Sequence, residues 1–183
     1  MTSAGIEQWY ALRVRSNCEK LVALTLSGKG YSEFLPLYKK ISRWSDRKKV
    51  IESPLFPGYV FSHFDVNCRL PVLTIPSVVH IVGLGNTPEP IPEEEINAIE
   101  RFIGSGLPVE PWPFLNVGER VVVEYGSLAG LEGVLTEVKN RHRLVVSLTL
   151  LQRSVAVEID RDSVRPVKSP IRRVAALSMA ASA

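Results

Sequence analysis

Apolar and polar positions alternate along "WYALRVRS", placing Tyr10, Leu12 and Val14 on one face and Arg13 and Arg15 on the other. That period of two predicts a half-buried strand. Asn17 follows as a candidate N-cap with Glu19 in the first turn, and Cys18, Leu21, Val22 and Thr25 recur at helical spacing. Gly28 or Gly30 can end this helix. Two strand-like runs, "FLPLYKKIS" and "RKKVIESPLF", flank "RWSD" and predict a hairpin. "GYVFSHF" is a strand entered through the Pro57-Gly58 corner, Val66 to Leu73 suits a short helix, and "SVVHIVG" is a further strand. In "IPEEEINAIERFI", Ile96, Ile99, Phe102 and Ile103 form one stripe behind Pro92, which predicts a helix. Three prolines and two glycines between Gly104 and Asn116 break the pattern and read as an interdomain linker. Beyond it lie about five short strand-like runs without a helix signal, which suit a small β-barrel. The order of elements predicts an α+β protein: an N-terminal α/β sandwich with an antiparallel sheet over 7–104, a linker over 105–116 and a β-barrel over 117–168. The Ala- and Ser-rich stretch 169–183 is expected to fray.

The run "SPLFPGYVFSHF" changes this picture. Leu55, Phe56, Tyr59, Phe61 and Phe64 are five large apolar side chains within ten residues. Strand alternation sends Tyr59, Phe61 and His63 to one face and Val60, Ser62 and Phe64 to the other, so both faces carry an aromatic. One face is expected to meet the two helices, and the other to be a partner site with Phe56 exposed.

Composition excludes several classes. The 183 residues are 45% hydrophobic and 22% charged, as in a folding globular chain, and no apolar run approaches a membrane span. The N-terminus lacks a secretory pattern, and Cys18 and Cys68 are too few for a disulfide framework, so the expected compartment is the cytoplasm. His63, His80 and His142 lie in separate segments, none with a metal-type ligand nearby. No nucleophile motif or phosphate-binding loop occurs, so neither an enzyme nor a cofactor or metal is expected. Net charge is only +3, but Arg43, Arg47, Lys48 and Lys49 surround Trp44 at the hairpin tip. Such a cluster suits phosphates through counterion release, with the indole stacking on an unpaired base. It suits equally a solvated hairpin whose lysines discourage edge pairing. Gly126, Gly130 and Gly133 fit tight turns of the barrel.

"WYALRVRS", "PLFPGYVF", "PSVVHIVG" and "PIPEEEINAI" together resemble the N-terminal domain of the NusG family of transcription elongation factors. "VGERVVVEYGSLAGLEGVLTEV" is similar to the KOW motif of their C-terminal domain, so the resemblance runs from about Trp9 to Val167. It implies a five-stranded SH3-like KOW barrel, and an N-terminal domain that docks on the clamp helices of RNA polymerase and raises processivity. Phe56 maps onto the polymerase-facing patch, with Leu55, Tyr59 and Tyr10 as neighbouring candidates. The barrel's partner surface maps onto Leu150, Leu151 and Arg153, where it would recruit other factors. Non-template DNA, nascent RNA, a ribosomal protein and Rho stay open as further partners of a monomeric chain. Leu151-Gln152 stands where family members commonly carry Phe-Gly, and "PLFPGYVFSHFD" resembles the operon-restricted branch typified by RfaH. The turn glycines oppose a switch of the barrel into helix. The rival reading is an RNA-binding or ribosome-associated KOW protein with the basic hairpin as its contact.

Overall fold

A computed structural model describes residues 5–44, 47–115, 118–138 and 140–167. Alternating residues build β1 (Glu7–Val14), followed by helix α1 (Glu19–Gly28) and short strand β2 (Ser32–Phe34). The hairpin of β3 (Leu37–Trp44) and β4 (Arg47–Pro54) comes next, then β5 (Tyr59–Asp65) and the one-turn helix α2 (Leu70–Leu73). Strands β6 (Val78–Ile81), β7 (Gly83–Leu84) and β8 (Thr87–Pro88) precede helix α3 (Glu93–Gly104). The remainder is β: β9 (Val109–Trp112), β10 (Glu119–Val123), β11 (Glu132–Val138), β12 (Arg141–Leu148), β13 (Arg153–Glu158) and β14 (Val164–Pro166).

The N-terminal sheet runs β2-β5-β1-β6 and is antiparallel throughout. Pairing of Glu7 with Asp65 and Arg13 with Tyr59 sets its register. Register decides which side chains share a face. Tyr10, Leu12, Val14, Val60 and Phe64 pack with Val22 and Leu26 of α1 and with Val72 and Ile75. Ala11 and Phe61 project the other way, into a cluster that holds Ile96, Ile99 and Phe102 of α3. The two helices therefore cover opposite faces, not one face as the sequence suggests. Helical periodicity orients each helix stripe but carries no information on which side of a sheet it docks.

Asn17 does not cap α1. It has φ 63 and sits two residues before the helix, and the N-cap position is Cys18, without a side-chain cap bond. The C-terminal end behaves as its glycines predict. Gly30 takes φ 84, and the Tyr31 and Gly30 amides donate to the carbonyls of Leu26 and Ser27, a Schellman closure.

The C-terminal sheet has six strands in the order β14-β10-β11-β12-β13-β9, one more than the five expected. The extra strand comes from the stretch read as linker. Val109–Trp112 pairs antiparallel with β13, in register from Val109↔Val157 to Trp112↔Ser154. Its one proline, Pro111, suits this place because an edge strand tolerates a missing N–H. Among the described residues this domain contains no α-helix. Gly133 lies where β11 meets β12, and a Cβ there would sit 2.8 Å from the Val145 carbonyl oxygen, so close strand approach requires glycine. Gly126 and Gly130 take φ 85 and 82 in the loop before β11. The expected tail, 169–183, lies outside the described residues.

The two domains share one core. Ala11, Leu55, Phe56, Phe61 and the α3 stripe form a single cluster with Val121, Leu135, Leu144, Leu148 and Val155 of the C-terminal sheet. The second apolar face of the N-terminal sheet thus has its partner within the chain.

Candidate functional site

The Pro57-Gly58 corner is held from two sides. Gly58 takes φ 82, a conformation that strains any residue with a Cβ, and its N–H donates to Glu19 Oε1 at 2.8 Å. Its carbonyl accepts from the Val14 amide at 2.9 Å and from Arg13 Nη1 at 3.4 Å. Glu19 is the buried acid of α1. Its position in the first turn is legible from helix-dipole reasoning, but its bond to Gly58, 39 residues away, is tertiary.

This clamp sets the candidate polymerase-binding residues. Leu55 is 2% exposed and Phe56 only 1%, and Phe56 meets Phe61 edge-on with ring centroids 5.7 Å apart. The expected exposure of Phe56 is not found, because the C-terminal domain completes the apolar cluster around it. Tyr59 is half-buried, and the guanidinium carbons of Arg13 and Arg153 lie over its ring at 5.0 and 5.6 Å. Tyr10 does not join this group. It is buried on the opposite face against Phe64, where burial first and the Asp65 charge second push its phenol up. On β2, the Glu33 carboxyl is also pushed up, by burial.

The candidate partner surface of the C-terminal domain meets the same place. Leu150 and Leu151 are half-buried against the shared cluster, and Arg153 stacks on Tyr59. Two polar contacts also join the domains, one at each end of α3. Glu95, in the first turn of α3, accepts from the Thr149 amide at 3.1 Å and its hydroxyl at 2.8 Å. Arg101, in the last turn, donates to the Ala129 carbonyl at 2.6 Å. Two surfaces that the sequence assigns to different outside partners therefore cover each other. The run Glu93-Glu94-Glu95, which dipole compensation alone would explain, supplies one of the cross-domain contacts.

Gln152 departs from the family pair with structural effect. It takes φ 51 in the turn between β12 and β13, where glycine would be unstrained, and its Nε2 donates to the Thr149 carbonyl at 2.9 Å. Gln152→Gly is expected to raise the unfolding free energy by about 0.5–1 kcal/mol, relief of left-handed strain outweighing the lost bond. A denaturant midpoint at or below that of the wild type would contradict this.

The basic hairpin forms as expected, with Ser42↔Lys49, Arg43↔Lys48 and Trp44↔Arg47 in register. The side chains of 41–49, and with them the candidate contacts of Arg43, Trp44, Arg47, Lys48 and Lys49, lie outside the described features. In the C-terminal domain the described arginines are engaged. Arg120 pairs with Glu132 at 3.3 Å, Arg141 with Glu158 at 2.9 Å, Arg161 with Glu119 at 3.3 Å and Arg165 with Glu124 at 3.0 Å. Arg143 pairs with Glu110, and Arg153 stacks on Tyr59. No cluster of three metal-type side chains occurs among the described residues, and no described helix is long and apolar enough to cross a membrane.

The family profile described as "Transcription termination factor nusG" matches residues 7–100. The transcription termination/antitermination protein NusG of Pseudomonas aeruginosa is 29% identical over 176 residues, covering 88% of this chain and 99% of that protein. The NusG of Neisseria meningitidis is 28% identical over 176 residues, with 88% and 98% covered. That of Thermus thermophilus is 26% identical over 174 residues, with 84% and 95% covered. A solved structure described as "Domain interaction in Thermotoga maritima NusG" superposes with a TM-score of 0.51 at 23% identity, covering 88% of this chain and 98% of that one. At this identity it bears on the fold alone.

Proposed function

The chain belongs to the NusG family, and on that premise we propose that it docks on the clamp helices of RNA polymerase through the corner formed by Leu55, Phe56 and Tyr59. It is a NusG-like transcription termination/antitermination factor and not an enzyme. In our reading it works in the cytoplasm, raises processivity by bridging the polymerase cleft, and recruits other factors through Leu150, Leu151 and Arg153 of its KOW domain. Arg43, Trp44, Arg47, Lys48 and Lys49 are the residues we assign to nearby DNA or nascent RNA. The "PLFPGYVFSHFD" run supports a specialised, RfaH-like member, and Leu151-Gln152 in place of Phe-Gly weighs against Rho or a ribosomal protein as the recruited factor.

The observation that carries this reading is the pairing of the two surfaces. A half-buried tyrosine under two guanidinium groups, set in an apolar cluster, has the chemistry of an interface hot spot. Here a second domain of the same chain occupies it. Docking on polymerase then requires the domains to part, and parting frees both surfaces together. The rival RNA-binding reading rests on the basic hairpin alone, since the arginines described in the KOW domain pair with carboxylates or stack on Tyr59.

The test uses purified full chain on immobilised core RNA polymerase. A Glu95→Ala/Arg153→Ala chain, with its cross-domain contacts weakened, is expected to bind in a saturable 1:1 manner. Adding Tyr59→Ala should then weaken binding at least tenfold while the fold survives. Equal binding by the folded triple variant would remove the assigned patch, and failure of the double variant to bind would remove the polymerase reading.

A further inference from the structure

The outer face of β12–β13 is buried, which an outward face of a small sheet has no reason to be. Val145 is 1% exposed, Ala156 0% and Ser154 2%. Their cover is the chain's own segment 109–115. Glu110 and Trp112 stand opposite Ala156 and Ser154 in the β9–β13 ladder, two residues apart and so on one face. Both converge on Arg143 of β12: the Glu110 carboxylate pairs with its guanidinium, and the Trp112 ring lies 4.7 Å beneath it. The side chain of Arg143 is only 20% exposed, and its Nε is buried without a partner. Beyond the strand the backbone itself is read. Ser147 Oγ donates to the Leu115 carbonyl at 2.8 Å, and the Leu115 amide donates to Ser154 Oγ at 3.1 Å. With the Ser147 proton so committed, Ser154 is the donor in the 2.7 Å contact between the two hydroxyls.

These features form a recognition set: a sheet edge, an arginine that takes both a carboxylate and an aromatic ring, and two hydroxyls for the amide and carbonyl of one residue. This is how a sheet edge takes up an extended segment, with main-chain bonds for affinity and alternate side chains for specificity. The resident strand is short, with four paired residues, of which Pro111 is exposed and the other three are partly buried. We propose that the outer face of β12–β13 is a binding site for an extended segment of a partner protein that carries an acid and, two residues later, an aromatic. Residues 109–115 hold that site in cis. The site is separate from the surface around Tyr59 and does not rest on the polymerase reading. While β9 is docked, only residues 105–108 tether the domains, so exchange of β9 for a partner strand also lengthens the tether.

The probe is a fluorescein-labelled synthetic peptide of residues 107–117, LPVEPWPFLNV, titrated into full chain and followed by anisotropy. A Glu110→Ala/Trp112→Ala chain, with its own segment weakened, is expected to bind at least tenfold more tightly than the wild type. Adding Arg143→Ala should weaken that binding at least tenfold, and a peptide lacking the acid and the indole should not bind. Absence of saturable binding to the folded double variant, or indifference to Arg143→Ala, overturns the proposal. Should the double variant fail to fold, the milder Glu110→Gln chain replaces it and must show the same order. Light scattering on the same samples reads the alternative occupant: a dimer that the peptide does not dissolve assigns the face to a second copy and overturns a partner segment.

Discussion

Replacing Phe56 with alanine is expected to lower the unfolding free energy by about 3–5 kcal/mol, the range for truncating a fully buried aromatic. The side chain is 1% exposed, and it loses both its edge-on contact with Phe61 and its place in the cluster shared by the two domains. Domains of this size are stable by roughly 5–15 kcal/mol, so about a fifth or more of the total is at stake. The denaturant midpoint of the full chain, followed by far-UV circular dichroism, measures it. A loss under about 1 kcal/mol would mean that Phe56 packs loosely and that the closed arrangement does not hold it. Family resemblance makes Phe56 the obvious surface probe, but its burial makes it a poor one. A lost polymerase interaction in Phe56→Ala cannot be separated from a lost fold. Tyr59, half-buried and stacked under Arg13 and Arg153, is the cleaner position.

The Glu95→Ala/Arg153→Ala chain is expected to bind core polymerase about tenfold more tightly than the wild type. Each contact removed is partly solvated, so the sum is small: about 1–2 kcal/mol for two hydrogen bonds to a carboxylate and one cation–π contact. A factor of ten is about 1.4 kcal/mol, which lies within that sum. The mechanism is population. Binding that needs the open form is weakened by the fraction of chains held closed, and destabilising the closed form restores it. Titration of polymerase by biolayer interferometry gives the ratio directly. Unchanged or weaker binding would show that the closed arrangement does not compete with polymerase. This outcome is distinct from failure of the Tyr59 test, which concerns where the contact is made and not when.

Much of the architecture is legible in the chain. Alternation at Tyr10, Leu12 and Val14, the stripe of Ile96, Ile99 and Phe102, and the paired runs around "RWSD" place β1, α3 and the hairpin, because each depends on local periodicity. The helix end at Gly30 and the turn glycines Gly126 and Gly130 are legible for the same reason: a left-handed φ is a local demand. The candidate surfaces are legible as sets of residue types. Two aromatic faces on β5 require two partners, and Leu150-Leu151 in a turn requires a cover.

Which partner satisfies each requirement is decided only in three dimensions. That α1 and α3 take opposite faces, that Arg153 comes to rest on Tyr59, and that Glu95 reaches Thr149 all join residues between 54 and 94 positions apart or on separate elements. Periodicity has no term for such separations. Segment 109–115 shows the same limit from the other side. Its two prolines, with Gly104, Gly106 and Pro108 just before it, mark an irregular chain, and irregular it would be, were Arg143, Ser147 and Ser154 not positioned by β12 and β13 to bind it. Local pattern in the chain suffices for β1, α3, the hairpin, the family resemblance and the apolar excess, and it misses β9. The tertiary structure alone decided that the excess is covered from within, since burying two apolar surfaces against each other removes both from water at once.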